Sequence, residues 1–143
     1  MRIFKAELWN LELILPLFEQ YRRERGMSEN SERSLAFLAN RIHFSESILF
    51  VAVQDQQAVG FVQLYPRLSS LRLQRYWQLT DIFVADIANH QQITSELLRK
   101  SRDFVSFTQS KLLVLESAPN QREFWQQQGF KLNPNKNVFE IRL

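Results

Sequence analysis

The chain contains no cysteine among its 143 residues. That absence excludes a disulfide framework, a thiolate-bound metal and a cysteine nucleophile. Histidine is almost as scarce, with only His43 and His90 present, so no metal centre is expected. Glycine is confined to positions 26, 60 and 129. No two of these lie within motif distance, which excludes the glycine-rich loops that cradle nucleotide phosphates. An excess of either charge is also missing: 18 Lys+Arg stand against 15 Asp+Glu, a formal net charge of +3. A dedicated nucleic-acid surface concentrates a larger excess, so no nucleic-acid partner is expected. Long apolar runs are absent too; Ile48–Val53 falls far short of the ~20 residues that span a bilayer. Lys5, Glu7 and Asn10 give the N-terminus no signal-peptide character. A soluble, cytoplasmic chain with no membrane partner, folding as a single domain over residues 1–143, is the expectation.

What is present is a large apolar supply, 45% hydrophobic with twelve phenylalanines. Arg2–Glu7 alternates as a strand does. Leu11, Ile14, Leu15, Phe18 and Tyr21 follow helical spacing after Asn10, a potential N-cap. Pro16 either sits in the first turn of that helix or kinks it. Arg22, Arg23 and Arg25 before Gly26 read as a helix C-terminus, with a phosphate-binding patch as the alternative. Ser31–Ile42 predicts a second helix. Ile48–Gln54, Ala58–Tyr65 and Arg75–Val84 predict three strands joined by short turns, and Arg67, Arg72 and Arg75 surround the Ser69-Ser70 turn. A polar break at Asp86–Gln92 leads into a helix carrying Ile93, Leu97, Ser101, Phe104, Val105 and Thr108. Lys111–Glu116 reads as a short buried strand and Pro119–Gln128 as a last helix ending on Gly129. Phe130–Leu132 and Val138–Leu143 predict a closing hairpin. The order β α α β β β α β α β β specifies an α+β domain, an α/β three-layer sandwich with a mixed, mostly antiparallel sheet flanked by helices.

Three segments, taken in order, resemble the GNAT superfamily of N-acetyltransferases. Val59-Gly60-Phe61-Val62-Gln63-Leu64-Tyr65-Pro66 is similar to that family's third strand. Leu79-Thr80-Asp81-Ile82-Phe83-Val84 is similar to its fourth, leading toward a helix with Leu97-Leu98. Leu113-Val114-Leu115-Glu116-Ser117-Ala118, followed by Phe124-Trp125-Gln126-Gln127-Gln128-Gly129-Phe130, resembles its fifth strand and the helix after it. The resemblance covers essentially the whole chain. It implies that acetyl-CoA, as co-substrate, lies between the fourth and fifth strands with its pyrophosphate on the N-terminus of the following helix, where free N–H groups and the helix dipole attract anions.

On that resemblance the cofactor-binding residues are Ile82, Phe83 and Val84 of the strand, Asn89, His90, Gln91, Gln92, Ile93, Thr94 and Ser95 of the loop and helix start, and Asn120. The family pattern there is Arg/Gln-x-x-Gly-x-Gly/Ala. Asn89 stands at the Arg/Gln position, and Gln92 and Thr94 stand at the two small positions, so the loop is degenerate. The family's tyrosine, whose hydroxyl protonates the departing thiolate, is replaced by Trp125. Tyr65 and Tyr76 are the other hydroxyls on hand. An amine with a free pKa near ~10.4 must be neutral to attack a thioester, so a base helps; Glu116 and Asp81 are the candidates, each also readable as a strand-end carboxylate with a structural role. Two readings follow: an N-acetyltransferase that moves acetyl directly onto a primary amine of a small molecule or peptide, or a non-catalytic binding or dimeric module of the same fold. A homodimer fits either.

Overall fold

Two apolar sets alternate along the central strands, and the structure, a computed structural model describing Met1–Leu143, lays them on opposite faces of one sheet. The strands are β1 (Arg2–Lys5), β2 (Ile48–Gln54), β3 (Gln57–Ser69), β4 (Gln74–Val84) and β5 (Leu113–Leu115), and their spatial order is their chain order. The first three pairings are antiparallel, whereas β5 returns parallel to β4. Such a return needs a crossover, supplied by helix α3 (His90–Phe107). Helices α1 (Leu11–Glu24) and α2 (Ser31–His43) bury Leu11, Ile14, Phe18, Tyr21 and Leu38 against Leu49, Val51 and Phe61 on one face. On the other face, Ile93, Leu97, Leu98 and Val105 of α3 meet Phe50, Val62, Leu64, Trp77 and Leu79, with Trp125 of α4 (Arg122–Gln127) closing the end. The three-layer α+β arrangement expected from the sequence is the one observed. No helix is long and apolar enough to cross a membrane.

Several local expectations change. Pro16 stays inside a continuous α1, leaving the Glu12 carbonyl without its helical N–H partner; burial of Ile14 and Leu17 on either side holds the helix in place. Asn10 does not cap α1 with its side chain. A 3-10 turn over Leu8–Asn10 precedes the helix, and Asn10 accepts instead from the Glu7 N–H at 2.9 Å. The basic run does end α1: Gly26 adopts φ +87° and Met27 N–H reaches the Arg22 carbonyl at 2.9 Å.

The predicted closing hairpin is absent. Residues 130–143 carry a turn at Pro134-Asn135 but no strand. Phe130 packs on Trp125 at 5.5 Å between ring centroids, which pins the first arm to α4, while Phe139 and Ile141 are 90% and 83% exposed. A two-stranded hairpin that packs on nothing is marginal at best, and this one has no buried face.

One irregularity positions the site. Gln63 pairs with Asp81 while Leu64 pairs with Leu79, so Thr80 is an extra residue on β4. Side chains alternate along a strand, and one inserted residue exchanges the faces beyond it. Trp77 and Leu79 therefore share the α3 face with Ile82 and Val84, although the two pairs are out of phase in sequence. Asp81 and Phe83 turn to the α1 face.

Candidate active site

β5 pairs with β4 only over Trp77–Leu79, ending at the bulge. Past that point β4 continues to Val84 bonded to β3 alone, so its other edge carries unpaired backbone groups. The chain beyond β5 turns away through a 3-10 turn at Pro119–Gln121. Between the diverging segments lies a cleft of about 370 Å³ lined by Tyr21, Arg25, Leu79, Thr80, Ile82, Leu115, Glu116, Ser117, Ala118, Asn120, Gln121 and Trp125.

The structure sorts the two candidate carboxylates. Asp81 is fully engaged: Tyr21 Oη donates to Oδ1 at 2.7 Å, and Thr80 Oγ1 and Gln63 Nε2 donate to Oδ2 at 2.7 and 3.3 Å. The network runs on, since Ser47 Oγ donates to Gln63 Oε1 at 2.9 Å inside the core. Burial, then the Asp81 acceptor and its charge, hold the Tyr21 phenol well above the usual tyrosine range, so it acts as a fixed neutral donor. Glu116 is the opposite case. It lines the cleft, is exposed, and has neither an ion-pair nor a hydrogen-bond partner. Trp125 lines the same cleft, and its buried Nε1–H has no acceptor. A buried donor left unmade costs about 1–3 kcal/mol.

Of the residues assigned to cofactor, the cleft brings together Ile82 and Asn120. Phe83 does not join them; it lies on the α1 face, 5.7 Å from the Tyr21 ring. Val84 packs in the core beside Gly60. The expected loop over residues 89–94 is also displaced. The β4–α3 connection is Ala85–Asn89, and α3 begins at His90. Ile93 N–H already bonds to the Asn89 carbonyl at 3.1 Å, and the Thr94 hydroxyl bonds to the His90 carbonyl at 2.9 Å. Thr94 is thus a residue of the helix body, because burial of Ile93 draws the helix start forward onto the sheet. Ser95 is an exposed helical residue. Asn89 Nδ2 donates to Gln54 Oε1 at 2.8 Å and ties the helix start to β2; the His90 ring lies 3.2 Å from the Ile87 carbonyl. Gln91 and Gln92, in the first turn, have backbone N–H groups with no intrahelical partner, as helix starts do, and exposed side chains.

Gly60 gains a role here that its strand position did not suggest. A Cβ at residue 60 would stand 3.1 Å from both Ile93 Cγ2 and Leu97 Cδ1 and 3.2 Å from Val84 Cγ2. Its absence lets the start of α3 settle on β3.

Sequence reasoning missed Tyr21, Arg25 and Thr80. Tyr21 lay in an apolar helical stripe and read as core. The signal for the bulge was in the sequence, as the phase change between Trp77, Leu79 and Ile82, Val84. The spare tyrosines do not line the cleft; Tyr65, pushed up to about 12 by burial and the Asp81 charge, holds its proton.

With this geometry in place, similarity to known proteins supplies the class. The family described as the acetyltransferase (GNAT) domain matches residues 22–140. A "probable acetyltransferase" of Haemophilus influenzae is 56% identical over 144 residues, covering 100% of this chain and 99% of that protein. An uncharacterized N-acetyltransferase of Bacillus subtilis, YhfO, is 30% identical over 134 residues, covering 92% of this chain and 90% of its own length. A crystal structure described as a probable acetyltransferase superposes with a TM-score of 0.92 at 32% identity, covering 100% of this chain and 98% of that one. The chain belongs to the GNAT acetyltransferase family.

Proposed function

We propose that the protein is an acetyl-CoA-dependent N-acetyltransferase acting on a primary amine, with Glu116 as general base. The observation that carries the reading is a cleft at the point where β4 and β5 part, lined by a carboxylate without a partner and by Trp125, whose buried Nε1–H has no acceptor. GNAT acetyltransferases use acetyl-CoA, and when bound it supplies the acetyl thioester that the amine attacks. The residues present suit that co-substrate. The unpaired β4 edge beyond Thr80 offers strand-like hydrogen bonding to an extended amide chain. The free N–H groups at Gln91 and Gln92, at the positive end of the α3 dipole, suit an anion. The long Gln92 side chain crowds the place where the family has a small residue, so the loop binds anions less closely than a glycine loop does.

In this reading Glu116 takes the proton that the acceptor's nitrogen loses as the nitrogen–carbon bond forms and the carbon–sulfur bond breaks. The Trp125 Nε1–H donates a hydrogen bond at the reacting end without giving up its proton, and the thiolate released, with an ordinary thiol pKa near ~8.5, needs no strong acid to leave. Asp81 is a positioning residue: it fixes the Tyr21 hydroxyl and Thr80 at the wall of the cleft. The test is direct. Purified protein is incubated with acetyl-CoA and a panel of primary amines, and free thiol and acetylated product are followed together. Product that needs both protein and amine supports the reading. Acetyl-CoA binding without product from any amine favours the binding-module alternative.

A further inference from the structure

Three arginines crowd the end of α1, and two of them are neutralised. Arg22 pairs with Glu19 at 3.0 Å and Arg23 with Glu29 at 3.3 Å. Arg25 has no carboxylate partner and lines the cleft instead. Its guanidinium stacks over the Tyr21 ring, 5.0 Å from the centroid, and that ring is held in turn by the bond from its hydroxyl to Asp81. A cation laid on a fixed aromatic face is pre-organised. Arg25 is also the only basic residue of the lining, as Glu116 is the only acidic one.

The geometry points to an acceptor of the amino-acid class, a small molecule carrying a carboxylate near its reactive amine. Glu116 meets the amine and Arg25 meets the carboxylate. One unpaired cation and one unpaired anion in a cleft of about 370 Å³ are complementary to a zwitterion, and a lone guanidinium fork matches a carboxylate two-to-two. A simple amine would leave Arg25 unpaired. The inference rests on the acetyl-transfer reading above.

The test compares matched acceptors that differ by the carboxylate alone: alanine with ethylamine, phenylalanine with phenethylamine, lysine with cadaverine. O-phosphoethanolamine against ethanolamine asks whether a phosphate serves instead. An amino acid's ammonium gives up its proton more readily than that of the matched amine, so rates are compared per neutral amine. On that basis the carboxylated members are expected to show kcat/KM higher by a few-fold, the worth of a contact to an exposed guanidinium. In Arg25→Met the ratio should fall toward one through a rise in KM, and Arg25→Lys should restore part of it. Equal turnover of acid and amine, an equal loss for both in Arg25→Met, or a preference for phosphate over carboxylate overturns the assignment. Calorimetric binding of the same pairs to wild type and Arg25→Met needs no turnover. A carboxylate preference in binding with no acetyl transfer leaves Arg25 standing and overturns the catalytic reading; transfer with no preference does the reverse.

Discussion

At the Asp81 end of the cleft, the positions of Tyr21, Thr80, Gln63 and Ser47 are set by side-chain hydrogen bonds that converge on one carboxylate or continue from it. At the start of α3, the groups left free are backbone N–H groups; Asn89 is tied by its side chain to Gln54 of β2, while the His90 ring and the Thr94 hydroxyl bond only to carbonyls of the same turn. The first end is fixed by chemistry that depends on residue identity. The second depends on where a helix begins, which Gly60 controls from beneath by having no Cβ. Substitutions should therefore act locally and sharply at the acceptor end, and through helix placement at the other.

The largest effect is expected at Glu116, the one carboxylate that lines the cleft. Glu116→Gln should lower kcat by about 10²–10⁴-fold with little change in the affinity for acetyl-CoA, measured by initial rates and by calorimetry. An equal loss in both would place Glu116 with the α3 end instead. Next comes Asp81→Asn. The amide nitrogen cannot accept from a hydroxyl, so at least one donor is left unpaired, and urea unfolding should report a loss of about 1–3 kcal/mol together with a lower kcat. At the backbone end, Gly60→Ala should cost about 1–3 kcal/mol by overpacking against Ile93, Leu97 and Val84, and should weaken acetyl-CoA more than it changes kcat.

Acid should act away from both ends, at the junction of α1 and α2. Burial raises the Glu19 carboxyl, but the nearby Ser34 hydroxyl and the bonds that the Asn30 N–H and Arg22 donate to Oε2 outweigh it and hold the group below its ordinary 4.5. A lowered folded pKa stabilises above the unfolded value, and that stabilisation is lost as pH falls from about 4.5 through the folded pKa. Thermal unfolding of wild type below pH 4.5 should therefore fall more steeply than that of Glu19→Gln, whose α1–α2 junction has no such group to protonate. The smallest effect is expected from Gln92→Gly, which should tighten acetyl-CoA by a few-fold by removing the side chain at the start of α3. Weaker binding would mean that Gln92 itself contacts the ligand.

The same contrast explains what could be read in advance. Helical spacing placed α1, α2 and α3, apolar runs and alternation placed the five observed strands, and Pro119 and Gly129 bracketed α4. Glu116, Trp125 and Ile82 were legible because they sit in segments that resemble the family, and with Asn120, which lies between two such segments, they line one cleft. The start of α3 was misplaced because Asn89-His90-Gln91-Gln92 is polar throughout, and the helix is pulled forward by a contact, Ile93 on Gly60, between residues far apart in sequence. Arg25 was hidden by its neighbours: three arginines before a glycine describe a helix end, and only the partners Glu19 and Glu29 reveal which one is left over. The closing hairpin was overread because alternation in Val138–Leu143 says nothing about whether a sheet edge is there to receive it.

The claim on which the rest depends is that the parted β4 and β5 strands hold acetyl-CoA. Thermal unfolding titrated with acetyl-CoA measures it most directly. Ligand at ~100 times its dissociation constant adds about 2.7 kcal/mol to stability, so the unfolding temperature should climb with concentration, and Gly60→Ala should shift that curve to higher ligand. An unfolding temperature that stays constant up to millimolar acetyl-CoA would contradict the account.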